Sequence, residues 1–332
     1  MVANCGGAMS ECLSVRPYQL MCVVCKIGAG LADDLGDPRL TAILQAVRAN
    51  PNIPTTLRCN VSSVYRYQNP GADEDTPEGA LFNAKRDLDI LHRLGMVPGD
   101  TRPARELFLR VLRVIETPAG ICGYDEATAD AWRGCQAARS GDYERGRAAG
   151  IAAVIPPRDA AEKARAKRES AEAIYQADRL LIRPHHLMCM TCFHAGREDL
   201  QPIEEDNLFE TIEVIQRNPD IPVVLIEGCC MICRPCSHYD AKHGLCAGAI
   251  AMGLRDEKKD LDVLQRLGLR YGDAMPARDL LRLLYERIDS TRLICGYGDG
   301  IVRSHEWTIC RDPEGSDAYA KGRAAGLGVV GE

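Results

Sequence analysis

The sequence predicts a helix-rich α+β protein of two homologous domains, each a short strand pair plus several helices around a cysteine-ligated metal centre. Three observations predict it. Six blocks of sequence recur in the same order, strand-like and helix-like periodicities alternate within each recurrence, and cysteines recur with the blocks. At 332 residues the chain passes the roughly 250–300 at which a single core usually gives way to separate domains. With 46% hydrophobic and 27% charged residues it is neither disordered nor fibrous. A net charge of −6 argues against a nucleic-acid partner gripped by general basicity. No apolar run approaches the roughly 20 residues that span a bilayer, so no membrane insertion is expected.

The duplication is read from matched blocks. RPYQLMCVVC (Arg16–Cys25) recurs as RPHHLMCMTC (Arg183–Cys192), NPNIP from Asn50 as NPDIP from Asn218, and DLDILHRLG from Asp87 as DLDVLQRLG from Asp260. PARELFLRVL from Pro103 recurs as PARDLLRLLY from Pro276, ICGY from Ile121 as ICGY from Ile294, and GRAAG from Gly146 as GRAAG from Gly322. Chance similarity does not keep such order. The expected organisation is an N-terminal tip (1–12), a first repeat (13–154), a linker helix (155–179) and a second repeat (180–332). The linker is placed by Ile155-Pro156-Pro157 and the alanine-rich, mixed-charge run from Asp159 to Asp178.

Each repeat opens with an expected strand, Leu13–Leu20 or Leu180–Leu187, delivering a C-x-x-C pair at its end. An amphipathic helix follows, apolar at Leu40, Ile43, Leu44 and Val47, or at Leu208, Ile212 and Ile215. Asn-Pro-x-Ile-Pro stops it and starts a second strand, clearest at Val223–Ile226. Further helices are expected, one ending near Leu267 and one from Pro276 to about Ile288.

Sixteen cysteines, about one residue in twenty, are too sparse for a disulfide scaffold in so long a chain. The first 25 residues lack a basic n-region and a continuous apolar h-region, so no secretory signal is read. Val2-Ala3-Asn4-Cys5 loosely resembles a lipoprotein cleavage site, but nothing apolar precedes it. The expected location is cytoplasmic, where thiols stay reduced and serve metals or redox chemistry. Cys22, Cys25, Cys122 and Cys135 match Cys189, Cys192, Cys295 and Cys310. Four thiolates suit a tetrahedral zinc or a [4Fe–4S] cluster; the plainer alternative makes Cys122, Cys135, Cys295 and Cys310 small buried hydrophobes. The second repeat adds Cys230, Cys233 and Cys236 at C-x-x-C-x-x-C spacing, which favours iron–sulfur. Cys246 is the expected fourth ligand, with His238 and His243 as competitors. Cys5, Cys12, Cys59 and Cys229 are read as unliganded thiols.

His185 and His186 stand where the first repeat has Tyr18 and Gln19. Either could ligate metal or donate a proton, or simply bond to backbone. In Asp87-Leu88-Asp89 and Asp260-Leu261-Asp262 the carboxylates lie two apart and do not face one another on a helix, so solvated faces or helix-start charges are expected. Arg16 and Arg183 could stabilise a thiolate cluster, or be ordinary surface or ion-paired arginines. The GRAAG glycines lack nucleotide-binding spacing.

RPHHLMCMTCF (Arg183–Phe193), Ile232-Cys233-x-x-Cys236, the VLQRLGL stretch and the closing ICGY together resemble a small uncharacterised cysteine-rich family. Its members usually begin with His-His-Leu-x-Cys-x-x-Cys-Phe and are often labelled iron–sulfur proteins. The resemblance covers nearly all of the second repeat and, more weakly, the first. It implies that His185, His186, Cys189, Cys192, Cys233, Cys236, Cys246 and Cys295 are motif residues. Two departures stand out: Gly-Tyr-Gly follows Cys295 where a second C-x-x-C is expected, leaving Cys310 to substitute, and the first repeat lacks the paired histidines and central cysteines. The family lends no established reaction.

The leading expectation is a soluble iron–sulfur protein with two or three [4Fe–4S] clusters. It would pass single electrons to or from a redox partner such as a reductase or ferredoxin-linked enzyme, and its acidic surface suits a basic partner. One alternative is an iron–sulfur enzyme with an open iron, His185 or His186 supplying the proton. The other is a zinc-stabilised interaction module without redox role.

Overall fold

The computed structural model describes residues 3–4, 11–61, 75–247, 253–297, 307 and 317–330. Strand β1 (Ala3–Asn4) pairs antiparallel with β2 (Glu11–Val15). The repeated Arg-Pro pairs then begin helices. Helix α1 runs Pro17–Gly28 after β2. Proline at the first helical position sacrifices an N–H that has no intrahelical partner, and its fixed φ suits the helix. The expected strand Leu13–Leu20 therefore ends at Val15, and Cys22 and Cys25 lie inside a helix. Their i,i+3 spacing places them on one face.

The rest of the first unit follows the expected order. Helix α2 (Pro38–Ala49), capped by Asp37 on the N–H groups of Arg39 and Leu40, buries Leu40, Ile43, Leu44 and Val47. Strand β3 (Pro54–Leu57), helix α3 (Ala80–Leu94), strand β4 (Thr101–Pro103) and helix α4 (Ala104–Val114) come next. Helices α5 (Asp142–Ala149) and α6 (Ile151–Val154) close it.

The segment expected to be a linker helix belongs to the second unit. The chain divides into Met1–Pro157 and Arg158–Glu332, and helix α7 (Ala160–Tyr175) buries Ile174 in the second core and Lys167 against Glu210 at 2.7 Å. A helix with two inward anchors is part of a fold. Asp159 caps it on the Glu162 N–H at 2.8 Å.

Strand β5 (Leu180–Ile182) and helix α8 (Pro184–His194) repeat the earlier switch, so the expected strand Leu180–Leu187 also stops at its Arg-Pro pair. Helix α9 (Leu208–Arg217), strand β6 (Pro222–Leu225) and a short 3-10 turn, Met231–Cys233, follow. A hairpin joins β7 (Tyr239–Asp240) to β8 (Leu245–Cys246). Helix α10 (Leu254–Leu267), strand β9 (Ala274–Pro276) and helices α11 (Ala277–Arg287), α12 (Arg292–Cys295) and α13 (Asp317–Ala324) complete the described α-helices and strands.

Both units carry the same strand pattern. In the first, β2 is parallel to β3 (Leu13 opposite Thr55) and β3 antiparallel to β4 (Thr56 opposite Thr101). In the second, β5 is parallel to β6 (Leu180 opposite Val223) and β6 antiparallel to β9 (Val224 opposite Ala274). Each unit thus adds a three-residue edge strand to the expected pair, too short to show a periodicity in sequence. The GRAAG motif has a packing role: a Cβ on Gly146 would overlap the Val24 carbonyl oxygen, and one on Gly322 the Thr191 carbonyl oxygen. Glycine lets α5 and α13 press directly on the cysteine helices. Among the described residues no helix is long and apolar enough to cross a membrane.

Candidate metal centres

A buried ion pair holds each cysteine helix at its start. Arg16 Nε donates to Asp87 Oδ2 at 2.8 Å, and Asp87 Oδ1 accepts the Tyr18 N–H at 3.0 Å. Arg183 donates to Asp260 Oδ2 from Nε at 2.8 Å and from Nη2 at 2.6 Å, while Asp260 Oδ1 accepts the His185 N–H at 2.8 Å. Each aspartate therefore satisfies an arginine and an otherwise unpartnered first-turn N–H. The expectation of solvated Asp-Leu-Asp carboxylates holds for Asp89 and Asp262, which pair with Lys85 and Lys258 at 2.6 Å. It fails for Asp87 and Asp260, which are fully buried. Residues two apart on a helix face different ways, so one carboxylate points in and the other out. The same geometry settles Arg16 and Arg183 as ion-paired and buried. The missed signal was that arginine and aspartate recur together. Burial pushes Asp87 up to about 6 against the pull of Arg16. Burial acts the same way on Asp260, but the His185 hydrogen bond and the Arg183 charge outweigh it and hold the carboxyl below its usual range.

In the first unit Cys22, Cys25, Cys122 and Cys135 line one cavity of about 30 Å³, together with Arg86 and Tyr143. The C-x-x-C pair comes from α1. The other two are clasped by backbone, Cys135 N–H donating to the Cys122 carbonyl at 2.7 Å. Gly134 makes that approach possible: its φ is +78°, and a Cβ there would stand 2.8 Å from the same carbonyl oxygen. Tyr143 donates its hydroxyl proton to the Ile115 carbonyl at 2.9 Å. Burial pushes the Cys22 thiol well up, Cys25 to about 11 and Cys122 to about 12. Such thiols stay protonated until a cation displaces the protons. A single water needs about 10–15 Å³ measured this way. The space is small beside a four-iron cubane, and no three of these four sulfurs lie within 4.8 Å of one another, so holding one tetrahedral ion would draw them together.

The second unit is arranged differently. Cys189 of α8, Cys229, Cys233 and Cys236 of the segment after β6, and Cys246 of β8 line a cavity of about 540 Å³, joined by His186 and His238. Cys230 does not line it. It is buried, its Sγ 3.1 Å from His186 Nδ1 and 3.8 Å from Cys233 Sγ. Cys229, expected to be a bystander, takes its place on the wall. Donor atoms of His186, Cys230 and Cys233 lie within 4.8 Å of one another, as do those of His185, His186 and Cys189. His185 Nδ1 lies 2.8 Å from Asp260 Oδ1, the carboxylate–imidazole arrangement that fixes ring orientation. Burial pushes His186 down to about 4, against the pull of Cys233, leaving a neutral imidazole at pH 7. Hydrogen bonds from the Cys229 and Cys230 thiols pull Cys233 far down, making it the readiest thiolate, and its two donors are pushed up.

Cys192 and Cys295 pack against the second unit's apolar core, which contains Tyr319, and do not line the larger cavity. Tyr319 donates to the Ile288 carbonyl at 2.9 Å, as Tyr143 does to Ile115. Their expected partner Cys310, like Cys5, falls outside the described residues. Cys12 and Cys59 are buried, Cys12 with its Sγ 3.4 Å from Thr56 Oγ1. His243 pairs with Asp240 at 2.8 Å. No protein-family model, curated protein or solved structure matches the chain.

Proposed function

We propose that the chain is an iron–sulfur electron carrier, formed by duplication, whose second unit holds a [4Fe–4S] cluster. The observation that carries this is the convergence of five cysteines from three separate segments on one cavity of about 540 Å³. Cys233, Cys236 and Cys246 would supply three thiolates, and Cys189 or Cys229 the fourth. A cluster held there would supply reversible one-electron chemistry. The chain's own part is to fix the sulfurs. Asp260 orients α8 through Arg183 and the His185 N–H, which sets Cys189. Cys233 is stabilised as thiolate by its two thiol donors. His186, neutral, bonds to Cys230 behind the cavity wall. A redox protein, such as a reductase or ferredoxin-linked enzyme with a basic docking face, is the partner this role requires.

A second reading has its own observation. Four thiols lining one cavity of about 30 Å³ support a single zinc ion over a cubane once the sulfurs close on it, and we read the first unit as a zinc-stabilised scaffold.

Metal and acid-labile sulfide analysis of anaerobically purified protein tests both. Iron with matching sulfide and a visible absorption that bleaches with dithionite is expected, together with about one zinc per chain. Cys233→Ala should remove iron and sulfide and leave the zinc, whereas Cys22→Ser should do the reverse. Colourless protein containing zinc alone would replace electron transfer with an interaction module.

A further inference from the structure

The first unit buries a cation beside its four paired cysteines. Arg86 of α3 is 1% exposed and lines the same cavity as Cys22, Cys25, Cys122 and Cys135. Its guanidinium carbon lies 3.9 Å from the Tyr18 ring centroid and 5.0 Å from that of Phe82. Nη2 donates to neutral oxygens, Asn83 Oδ1 and Thr76 Oγ1, and Nε has no partner. Asp75 and Asp87 are hydrogen-bonded by Arg16, and the Asp87 charge also attracts Arg86 without a hydrogen bond. Among the described residues no carboxylate hydrogen-bonds to Arg86. In the second unit the matching position is Lys259, which does have one, Asp256 at 3.3 Å.

A buried guanidinium that shares Asp87 with a second arginine and hydrogen-bonds no carboxylate among the described residues is under-compensated, so negative charge beside it is stabilising. The cavity it faces is lined by four thiols and, among the described residues, by no carboxylate. Zinc bound by four thiolates carries 2 − 4 = −2, and that charge is itself costly in an apolar setting without a nearby cation. We infer that Arg86 is the built-in counter-cation of an anionic tetrathiolate zinc centre formed by Cys22, Cys25, Cys122 and Cys135. The inference rests on the zinc reading of the first unit.

The test is zinc affinity of the full-length chain, measured by competition with a chromogenic chelator. Arg86→Met keeps the bulk of the side chain and removes the charge; it should weaken the Cys22-dependent site by about tenfold or more. Arg86→Lys restores a charge and should recover most of that loss. In a Cys22→Ser background Arg86→Met should change nothing. Cobalt substitution gives a second readout, since the thiolate charge-transfer bands of that site should need more metal to saturate in Arg86→Met. Unchanged affinity in Arg86→Met, or equal weakening in Met and Lys variants, would assign Arg86 to packing and overturn the inference alone. Wild-type protein with no Cys22-dependent zinc would overturn the zinc reading with it. Should Arg86→Met fail to fold, as judged by circular dichroism, Arg86→Gln carries the same comparison.

Discussion

Set side by side, the two units keep the same machinery for placing a cysteine helix and differ in what its first turn touches. Each has the arginine–aspartate pair, the Arg-Pro start, the glycine contact and the tyrosine bonded to a carbonyl. In the first unit Gln19 is used as a cap, its Oε1 accepting the Arg16 N–H at 2.8 Å, and Tyr18 is stacked against Arg86. In the second, His185 and His186 occupy those positions and turn to Asp260 and Cys230. The difference teaches that scaffold and chemistry are separable here. The side chains of the first turn and the cysteines after β6 differ between the units, while the arginine–aspartate pair and the glycine contact that place the helix recur.

That separation is most sharply tested at the shared ion pair. Removing one partner of a buried pair leaves the other charge uncompensated and costs about 3–5 kcal/mol. Asp87→Asn and Asp260→Asn should each destabilise their own unit by this order in urea unfolding. Asp260→Asn should be the more severe, because Asp260 also holds His185 through two hydrogen bonds. Equal losses would mean that His185 adds nothing to the scaffold. Losses under about 1 kcal/mol would show that the pair is dispensable for placing the helices.

A smaller and symmetrical effect is expected at the glycines. Gly146→Ala and Gly322→Ala each force a methyl into a carbonyl oxygen of the facing cysteine helix. Relief needs a helix shift, and overpacking of this kind costs about 1–3 kcal/mol. The two values should agree closely if the units share this contact. The shift should also loosen metal in both, read as faster release to a chelator. A first-unit loss with no second-unit counterpart would break the equivalence.

Much of this was legible in the chain. The α2 and α9 stripes, the Val223 strand and the Pro276 helix follow from spacing, because periodicity reports burial directly. What escaped was decided by direction. Leu13–Leu20 reads as a strand until the proline at position 17 is weighed as a helix start. Asp87 and Asp89 diverge as i and i+2 residues must, and that spacing alone does not say which of the two points inward. Cys229 and Cys230 are adjacent, and nothing in C-x-x-C spacing states which sulfur faces the cavity. The turn after β6 does, through Gly228 at φ +75° and the 3-10 turn Met231–Cys233. That the four first-unit cysteines share one cavity was the easiest grouping to read, since recurrence pairs them regardless of fold.

The mildest expected difference concerns acid. Asp87 has a folded value near 6 against an unfolded value of about 3.9, so the native first unit takes up a proton more readily than the unfolded chain. Its contribution therefore becomes more favourable as pH falls, by about 1 kcal/mol between pH 7 and 5. Asp260 is shifted the other way. Its contribution is complete above about pH 4, constant between 7 and 5, and lost on further acidification as the carboxylate is protonated. The comparison is cleanest as a difference. Wild-type stability minus that of Asp87→Asn should rise by about 1 kcal/mol on going from pH 7 to 5, while the same difference for Asp260→Asn stays flat. The cause is the residue beside each aspartate: Tyr18 leaves burial dominant over Arg16, whereas His185 adds a hydrogen bond to the pull of Arg183. His185→Tyr should accordingly move Asp260 toward the behaviour of Asp87, and a slope unchanged by that substitution would place the asymmetry elsewhere.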